Sequence, residues 1–378
     1  MPKAVQLLAY GGPEQLNIID RPTRELKSDE ALVRVVAAGI NPGEMAIREG
    51  YLKDMFPMDF PFGQGADFAG HIEAVGSDVS EFAVGDEVLG WSEQRSAHAE
   101  FVAITSSQLI AKPASLDWYR AGSLFVAATT AFAAVRAVAL KARDVVAISG
   151  AAGGVGSLAV QLARRTGARV LGIVSEHNKA FLESVGAEHV NYGDGLAGRL
   201  RAAAPNGIDA FVDLFGQGYI DLAVELGVPK DRIDTIIDFA GAGKHRVKTD
   251  GSAAAGDRKT LEHLADLVAW GEIVMPIAAI YPFDAIRDAY VELAKRKTQN
   301  AREDRARSQR QSVEAAMADG EVPLRKVIRL APSSFWADRT LKQSRIVNND
   351  HRHGLSRRQE AVTGVCHDKC VCFGRCAY

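Results

Sequence analysis

Apolar and polar residues follow two different patterns along the chain. In the first 110 residues short apolar runs are separated by Gly, Pro and Asp, and in Gly70–Gly76 apolar and polar residues alternate between two glycines. This alternation is typical of a half-buried strand, and Ala31–Ala37 and Val84–Gly90 are predicted as two more. Many short strands with regular turn residues predict a small barrel-like domain.

From about residue 120, predicted strands alternate with predicted helices. Val145–Ile148 is a continuous apolar run, as expected for a parallel strand that is covered on both faces. The repetition that follows predicts a doubly wound α/β sheet. The predicted strands are 145–148, 169–174, 188–192, 208–214, 233–239 and 272–280. The predicted helices are 155–166, 178–185, 219–226, 260–270 and 284–296. The stretch 240–257 is rich in Gly, Ala and charge and is predicted to be a mobile loop.

Composition and charge narrow the class of protein. With 378 residues, 47% of them hydrophobic and 24% charged, the chain fits a soluble protein of about two domains. The net charge of -2 gives no bulk attraction to nucleic acid or anionic lipid. No apolar run reaches the ~20 residues of a membrane span, and the N-terminus lacks a signal peptide. We therefore expect a cytoplasmic protein without a nucleic-acid or membrane partner.

Residues 298–378 differ from the rest of the chain. They contain 15 Lys and Arg against 9 Asp and Glu, with little periodicity, so a basic, partly disordered tail is expected. All four cysteines lie at its end, and residues 1–365 therefore hold no disulfide and no thiolate metal site. Their spacing matches no common zinc site. These residues are Cys366, Cys370, Cys372 and Cys376.

A glycine-rich turn follows the strand 145–148. The motif Gly150-x-x-Gly153-x-x-Gly156 lies between this strand and the helix that begins near Val155. Glycines let the backbone approach a pyrophosphate, and the helix N-terminus offers N–H groups and a positive dipole. We predict that Gly153, Gly154, Val155 and Gly156 hold a dinucleotide; the alternative is a tight turn without a ligand.

The end of the next strand bears on the choice between NAD and NADP. NAD-binding sheets carry an acid there for the ribose 2′-hydroxyl, whereas this strand ends at Val174 and Ser175. Lys179 begins the following helix and Tyr192 ends the third strand, so both are expected on the adenosine side. NADPH is the predicted cofactor. Three alternatives remain: a solvent-facing Lys179, a core Tyr192, and an NAD role for Glu176.

Several motifs in order resemble the zinc-free quinone oxidoreductase branch of the medium-chain dehydrogenase/reductase superfamily. The resemblance covers residues 1–297 and implies a GroES-like β-barrel catalytic domain (1–120, completed by about 275–297). It also implies a Rossmann NADP-binding domain (121–274), a cleft between the two, and a homodimer. The motifs are Gly39-Ile40-Asn41-Pro42, Gly65-Ala66-Asp67-Phe68-Ala69-Gly70, Val84-Gly85-Asp86-Glu87-Val88, Ala99-Glu100-Phe101-Val102, Ala128-Thr129-Thr130-Ala131 and the glycine turn.

Departures from the zinc alcohol dehydrogenases of this superfamily narrow the predicted chemistry. Those enzymes hold the catalytic metal with a Cys and a His-Glu pair at the places where this sequence has Asn41 and Ala66-Asp67. We therefore expect no metal and, without a Lewis acid, reduction of a quinone or an α,β-unsaturated carbonyl. The alternatives are an enoyl-thioester reductase and a non-catalytic NADPH-binding protein.

The resemblance also implies roles for individual residues. Asn41 would lie beside the nicotinamide and donate to the acceptor carbonyl, with Thr130 near the carboxamide. Tyr51 would line the acceptor pocket, and Phe239 and Ala240 would pass the nicotinamide side. The alternatives are an Asn-Pro turn residue at Asn41 and a surface aromatic at Tyr51.

The last strand of the family's sequence pattern does not occur at its usual place in this chain. Relatives close with a short strand after the last helix, and that strand is missing after Thr298. Either 325–330 replaces it after an insertion at 299–323, or the whole tail is unrelated sequence.

Overall fold

The structure is a computed structural model that describes residues 1–298 and 325–330. Its strands form a two-stranded hairpin, a seven-stranded mixed sheet and a five-stranded parallel sheet. The strands are β1 (Lys3–Gln6), β2 (Asn17–Asp20), β3 (Glu30–Ile40), β4 (Asp67–Val75), β5 (Glu87–Trp91), β6 (Phe101–Thr105), β7 (Leu109–Ala111), β8 (Val145–Ser149), β9 (Arg169–Val174), β10 (Glu188–Asn191), β11 (Ala210–Asp213), β12 (Ile233–Thr235), β13 (Ile277–Pro282) and β14 (Arg325–Arg329).

The α-helices of the described residues connect and cover these sheets. None of the helices in these two ranges is long and apolar enough to cross a membrane. They are α1 (Pro42–Arg48), α2 (Trp118–Ala121), α3 (Phe125–Ala137), α4 (Gly156–Arg165), α5 (Lys179–Ser184), α6 (Leu196–Ala203), α7 (Tyr219–Glu225), α8 (Phe239–His245), α9 (Arg258–Ala269) and α10 (Ile286–Thr298).

The mixed sheet forms the GroES-like part of the fold. Its order is β13-β14-β3-β4-β5-β7, and β6 pairs with the first half of β3. The inward positions of β3, β4 and β6 carry apolar side chains with at most 2% exposure, so each of these strands contributes one face to a common core. Core residues of this part include Val33, Val35, Phe68, Ile72, Val102 and Ile104.

The parallel sheet forms the Rossmann-like part. Its order is β10-β9-β8-β11-β12, so the chain moves outward through β8, β9 and β10 and then returns to the other side of β8. This reversal places a topological switch point between β8 and β11, at the carboxyl edge where such sheets bind ligands. The predicted fold class, a GroES-like barrel domain with a Rossmann sheet, is confirmed.

Two predicted elements after residue 232 are wrong. The strand predicted over 233–239 ends at Thr235, and the predicted mobile loop contains α8. The missed signal is Asp238, whose Oδ1 accepts a hydrogen bond from the backbone N–H of Gly241 at 2.8 Å. An Asp in this position caps a helix N-terminus, so the chain turns into α8 at Phe239.

The displaced strand is present. β14 lies between β13, to which it is parallel, and β3, to which it is antiparallel. Val327 and Ile328 are fully buried, and the N–H of Leu330 donates to the carbonyl of Val36 at 3.0 Å. Residues 325–330 therefore complete the barrel sheet. The remainder of the predicted tail, with its four cysteines and its expected disorder, lies outside the described residues.

Candidate dinucleotide site

The glycine turn has the geometry of an anion cradle. Gly150 has a φ of +60°, a left-handed conformation that favours glycine, and α4 begins at Gly156. A Cβ atom on Gly156 would lie 2.1 Å from the carbonyl oxygen of Gly150, so only glycine fits. The first N–H groups of a helix lack intrahelical acceptors. In this turn the N–H groups of Ser157 and Leu158 donate to the carbonyls of Gly153 and Val155, so what the start of α4 directs at the carboxyl end of β8 is chiefly the positive end of the helix dipole.

A buried carboxylate that sequence reasoning missed organises the same edge. Asp213, at the end of β11, is fully buried, and its Oδ1 accepts from the Ser149 hydroxyl at 2.6 Å. Its Oδ2 accepts from the Thr235 hydroxyl at 2.9 Å. Asp213 thus ties together the ends of β8, β11 and β12. The sequence did contain a signal for Asp213, because a polar residue ends each of these three apolar strands: Ser149, Asp213 and Thr235.

The residues predicted on the adenosine side come together at the ends of β9 and β10. Ser175 directly follows β9, and the N–H of Tyr192 donates to the carbonyl of Val174 at 3.2 Å. The Tyr192 side chain is 40% exposed, which contradicts the core alternative for this residue. The Lys179 side chain is 48% exposed and begins α5.

Glu176 restricts what Lys179 can do. The Lys179 ammonium lies 3.8 Å from the Glu176 carboxylate, and Nδ1 of His189 lies 3.6 Å from the same group. An exposed pair of this kind contributes only about 0–1 kcal/mol, so a phosphate can compete for the lysine. Lys179 is therefore available to a 2′-phosphate, at the cost of weakening this contact.

Asn41 is held by two carboxylates. It caps α1 in a capping box with Glu44, and its side-chain nitrogen lies 3.2 Å from Glu44 and 3.3 Å from Asp67. A carboxylate only accepts hydrogen bonds, so the amide nitrogen must face both groups. Both N–H groups of Asn41 are thus engaged, and donation to an acceptor carbonyl would require one of them to break. This geometry corresponds to the turn-residue alternative, and the catalytic role stays a prediction.

Asp67 joins Asn41 to the helix that carries Thr130. Its Oδ1 accepts from the backbone N–H of Val126 at 3.0 Å, in the first turn of α3. The Thr130 hydroxyl donates within the helix to the carbonyl of Val126 at 2.5 Å. Since that hydrogen is used, the lone pairs of the Thr130 oxygen are what it can offer a ligand. Thr130 can therefore accept from an amide such as a carboxamide.

Glu44 is a second positioning group that sequence reasoning missed. One oxygen accepts from the Asn41 backbone N–H at 3.0 Å and from the Tyr290 hydroxyl at 2.5 Å. The other accepts from the Ala66 N–H at 2.9 Å. Burial, reinforced by the charge of Glu44, raises the pKa of Tyr290, so the phenol keeps its proton. The Asn-x-x-Glu spacing of a capping box was the available signal.

The remaining predicted site residues lie at the surface. Tyr51 follows α1 and is 79% exposed, as its surface alternative expects. Phe239, at the start of α8, is 39% exposed, and Ala240 beside it is also exposed. None of these three residues is seen in contact with Asn41 in the described part of the chain, so their roles in the site remain predictions.

The positions that hold zinc in the alcohol dehydrogenases are bonded to each other here, because Asn41 donates to Asp67. Among residues 1–298 and 325–330, no three His, Cys, Asp or Glu side chains are placed to hold a metal ion. His98 is buried, and its Nε2 lies 2.9 Å from the carbonyl of Gly39, so it joins two segments of the barrel.

Two family models match the chain in the order that the fold requires. The alcohol dehydrogenase GroES-like domain matches residues 27–114, and the zinc-binding dehydrogenase model matches residues 154–245. With the glycine turn and the two sheets, these matches define the medium-chain dehydrogenase/reductase class. The chain is similar to the quinone oxidoreductase branch of this superfamily.

Named relatives agree with this assignment. Human quinone oxidoreductase is 32% identical over 59% of this chain, and the pig enzyme is 31% identical over 56%. The matches span 66% and 65% of those proteins' lengths, just under two thirds. Quinone oxidoreductase from Coxiella burnetii has a TM-score of 0.72 at 26% identity, over 87% of this chain and 99% of that one. Escherichia coli quinone oxidoreductase, solved with NADPH, shares the fold at 20% identity and a TM-score of 0.70, over 86% of this chain and 99% of that one.

Proposed function

We propose that the chain transfers a hydride from NADPH to a quinone or to the β-carbon of an α,β-unsaturated carbonyl. The observation that carries this proposal is the glycine turn at the switch point, where Gly156 packs so closely on the backbone of Gly150 and Ala151 that a Cβ would clash with it. Similarity to the quinone oxidoreductase branch supports the acceptor class. The names of the human and pig relatives point to the same chemistry.

Each part of the site has a task in this proposal. Bound NADPH would supply the hydride from C4 of its nicotinamide. The N-terminal end of α4 binds the pyrophosphate, and Ser175, Lys179 and Tyr192 bind the 2′-phosphate side. The Thr130 oxygen accepts from the carboxamide. The reduced acceptor takes its proton from water, because the amide of Asn41 is not an acid and can at most donate a hydrogen bond.

The choice of NADP over NAD depends on the end of β9. Ser175, and no carboxylate, follows Val174 directly, and the N–H of Tyr192 donates to the Val174 carbonyl. A 2′-phosphate meets a hydroxyl and a lysine there. Glu176 lies one residue further and contacts Lys179, so the proposed preference is for NADPH without exclusion of NADH.

Oxidation of NADPH with phenanthrenequinone, followed by absorbance, tests the proposal. Parallel assays with an alkyl enone and an enoyl thioester rank the acceptors, and the protein without NADPH is the blank. Faster turnover with the quinone or the enone supports the proposal. Preference for the thioester would assign an enoyl reductase, and NADPH binding without turnover of any acceptor would assign a non-catalytic protein.

The remaining proposals concern the setting of the enzyme. We propose a homodimer in the cytoplasm whose partner is a small-molecule acceptor. Sedimentation of the full chain at micromolar concentration tests the dimer, and a mass of one chain at all concentrations would contradict it.

A further inference from the structure

One arginine holds the segment that follows β10. Arg199, on α6, donates to the backbone carbonyl oxygens of four consecutive residues. Its Nε donates to Asn191 at 2.9 Å, and its Nη1 donates to Asp194 at 2.8 Å. Its Nη2 donates to both Tyr192 and Gly193 at 3.1 Å. Four carbonyl groups of a short loop therefore point at one guanidinium.

Only arginine can make this arrangement. Its planar fork carries five N–H donors in fixed directions, whereas a lysine ammonium is a point charge with three. The loop is shaped for it, because Gly193 and Gly195 have φ values of +91° and +78°, which favour glycine. The hydrogen bonds of Arg199 among the described residues all go to these backbone carbonyls, and Glu176 lines the same pocket as its side chain.

The loop that Arg199 holds carries Tyr192 to the end of β9. The N–H of Tyr192 donates to the carbonyl of Val174, which places the tyrosine beside Ser175. Without the guanidinium, the four carbonyls would lose their common donor, and the backbone around Tyr192 would gain freedom. Lys179, which begins α5, contacts the carboxylate of Glu176, whereas Arg199 donates to backbone carbonyls.

We infer that Arg199 is the positioning residue of the adenosine side of the site. It holds the backbone that carries Tyr192 next to Val174, at the end of β9. The inference rests on the proposed binding of NADPH. It explains how a loop with two flexible glycines can present an ordered side chain to a ligand.

The test compares Arg199→Ala, Arg199→Lys and Arg199→Gln with Arg201→Ala. Arg201 lies on the same helix in an exposed pair with Glu225, and its loss should change nothing. In the protein without a ligand, hydrogen exchange should quicken at the amides of 191–195 in all three Arg199 variants. Losing hydrogen bonds to a charged donor should also weaken NADPH binding, measured by fluorescence, about tenfold. NADH binding should change less.

The lysine variant and a double-mutant cycle separate positioning from charge. Arg199→Lys keeps the charge but loses the fork, so an affinity close to that of Arg199→Ala supports positioning. With Tyr192→Ala, the loss from Arg199→Ala should shrink, because both changes act through one side chain. Full additivity, or unchanged amide exchange, would overturn the inference. Failure of the wild-type chain to bind NADPH would overturn the proposed function as well, whereas tight binding by Arg199→Ala would overturn this inference alone.

Discussion

The glycine turn and the Asn41 region are built in different ways. The turn is made of backbone: a positive φ at Gly150, a missing Cβ at Gly156 and the N-terminal end of α4. The Asn41 region is made of side chains, since Glu44 and Asp67 converge on one amide from separate elements. A backbone site appears in the sequence as adjacent glycines. A side-chain site appears only after folding.

This difference also predicts how the two regions respond to change. The turn has no spare volume, so one added side chain should abolish its function. The Asn41 region is a hydrogen-bonded network, so a conservative change should lower stability in steps. The four predictions below run from the largest expected effect to the smallest.

Gly156→Val should have the largest effect. Its Cβ would lie 2.1 Å from the carbonyl oxygen of Gly150, so the turn must move away from the pyrophosphate. We expect NADPH affinity to fall by more than about 100-fold in a fluorescence titration. Gly198→Ala is the matched control, because no atom lies within 4 Å of the Cβ built there. Retained affinity in Gly156→Val would show that the turn binds no dinucleotide.

Glu44→Gln should destabilise the Asn41 region. The amide nitrogen would replace one of the two carboxylate oxygens, so its N–H donors would face the backbone N–H of either Asn41 or Ala66, which now bond to different oxygens. We expect the free energy of unfolding in urea to fall by about 2–3 kcal/mol. Glu73→Gln, in an exposed pair with Arg34, is the control. Equal small losses in both variants would mean that Glu44 does not organise this region.

Asp234→Asn should change the dependence of stability on pH. Burial, aided by the nearby charges of Asp250 and Asp213, raises the pKa of Asp234 to about 7 from a model-compound value of 3.8. The folded state therefore keeps a proton that the unfolded state releases, and stability falls as pH rises from about 4 to 7. Each pH unit in that window costs at most about 1.4 kcal/mol.

Asparagine removes this penalty and still accepts from the Asp250 N–H, which now bonds to Asp234 at 2.7 Å. The melting temperature of Asp234→Asn should therefore exceed that of the wild type more at pH 8 than at pH 4. Asp231→Asn, at the surface, is the control. A difference independent of pH would contradict the shifted titration.

Lys179→Ala should have the smallest effect. Its ammonium is half-exposed and already contacts Glu176, so only part of its charge reaches a 2′-phosphate. We expect NADPH to bind about tenfold more weakly and NADH to bind nearly as before. Lys259→Ala controls for surface charge. Equal losses for both cofactors would remove Lys179 from the phosphate side.

The sequence was sufficient for much of the fold. Periodicity located β8, β9 and α4, since these elements are long or strongly apolar. It failed at Asp238, where one helix cap outweighed a run of Gly and Ala that resembled a loop. It also left β14 open, because only the pairing with β3 and β13 shows that this distant segment completes the barrel.

The candidate site was predictable to the same uneven degree. The Gly-x-x-Gly-x-x-Gly motif was enough to predict the glycine turn between β8 and α4. The predicted ends of the second and third strands of the parallel sheet were enough to propose Ser175 and Tyr192. Arg199 was missed because its partners are backbone carbonyls whose positions no spacing reports, whereas Glu44 was missed although the Asn-x-x-Glu spacing pointed to it. Asn41 was predicted to donate to a substrate, and the structure shows both of its N–H groups directed at carboxylates instead.

The central claim is that the glycine turn holds NADPH for hydride transfer. Its most direct test is NADPH oxidation by phenanthrenequinone, measured side by side for the wild type, Gly198→Ala and Gly156→Val. The account predicts turnover in the first two proteins and loss of both binding and turnover in the third. Equal turnover in all three, or none in the wild type with any acceptor, would contradict it.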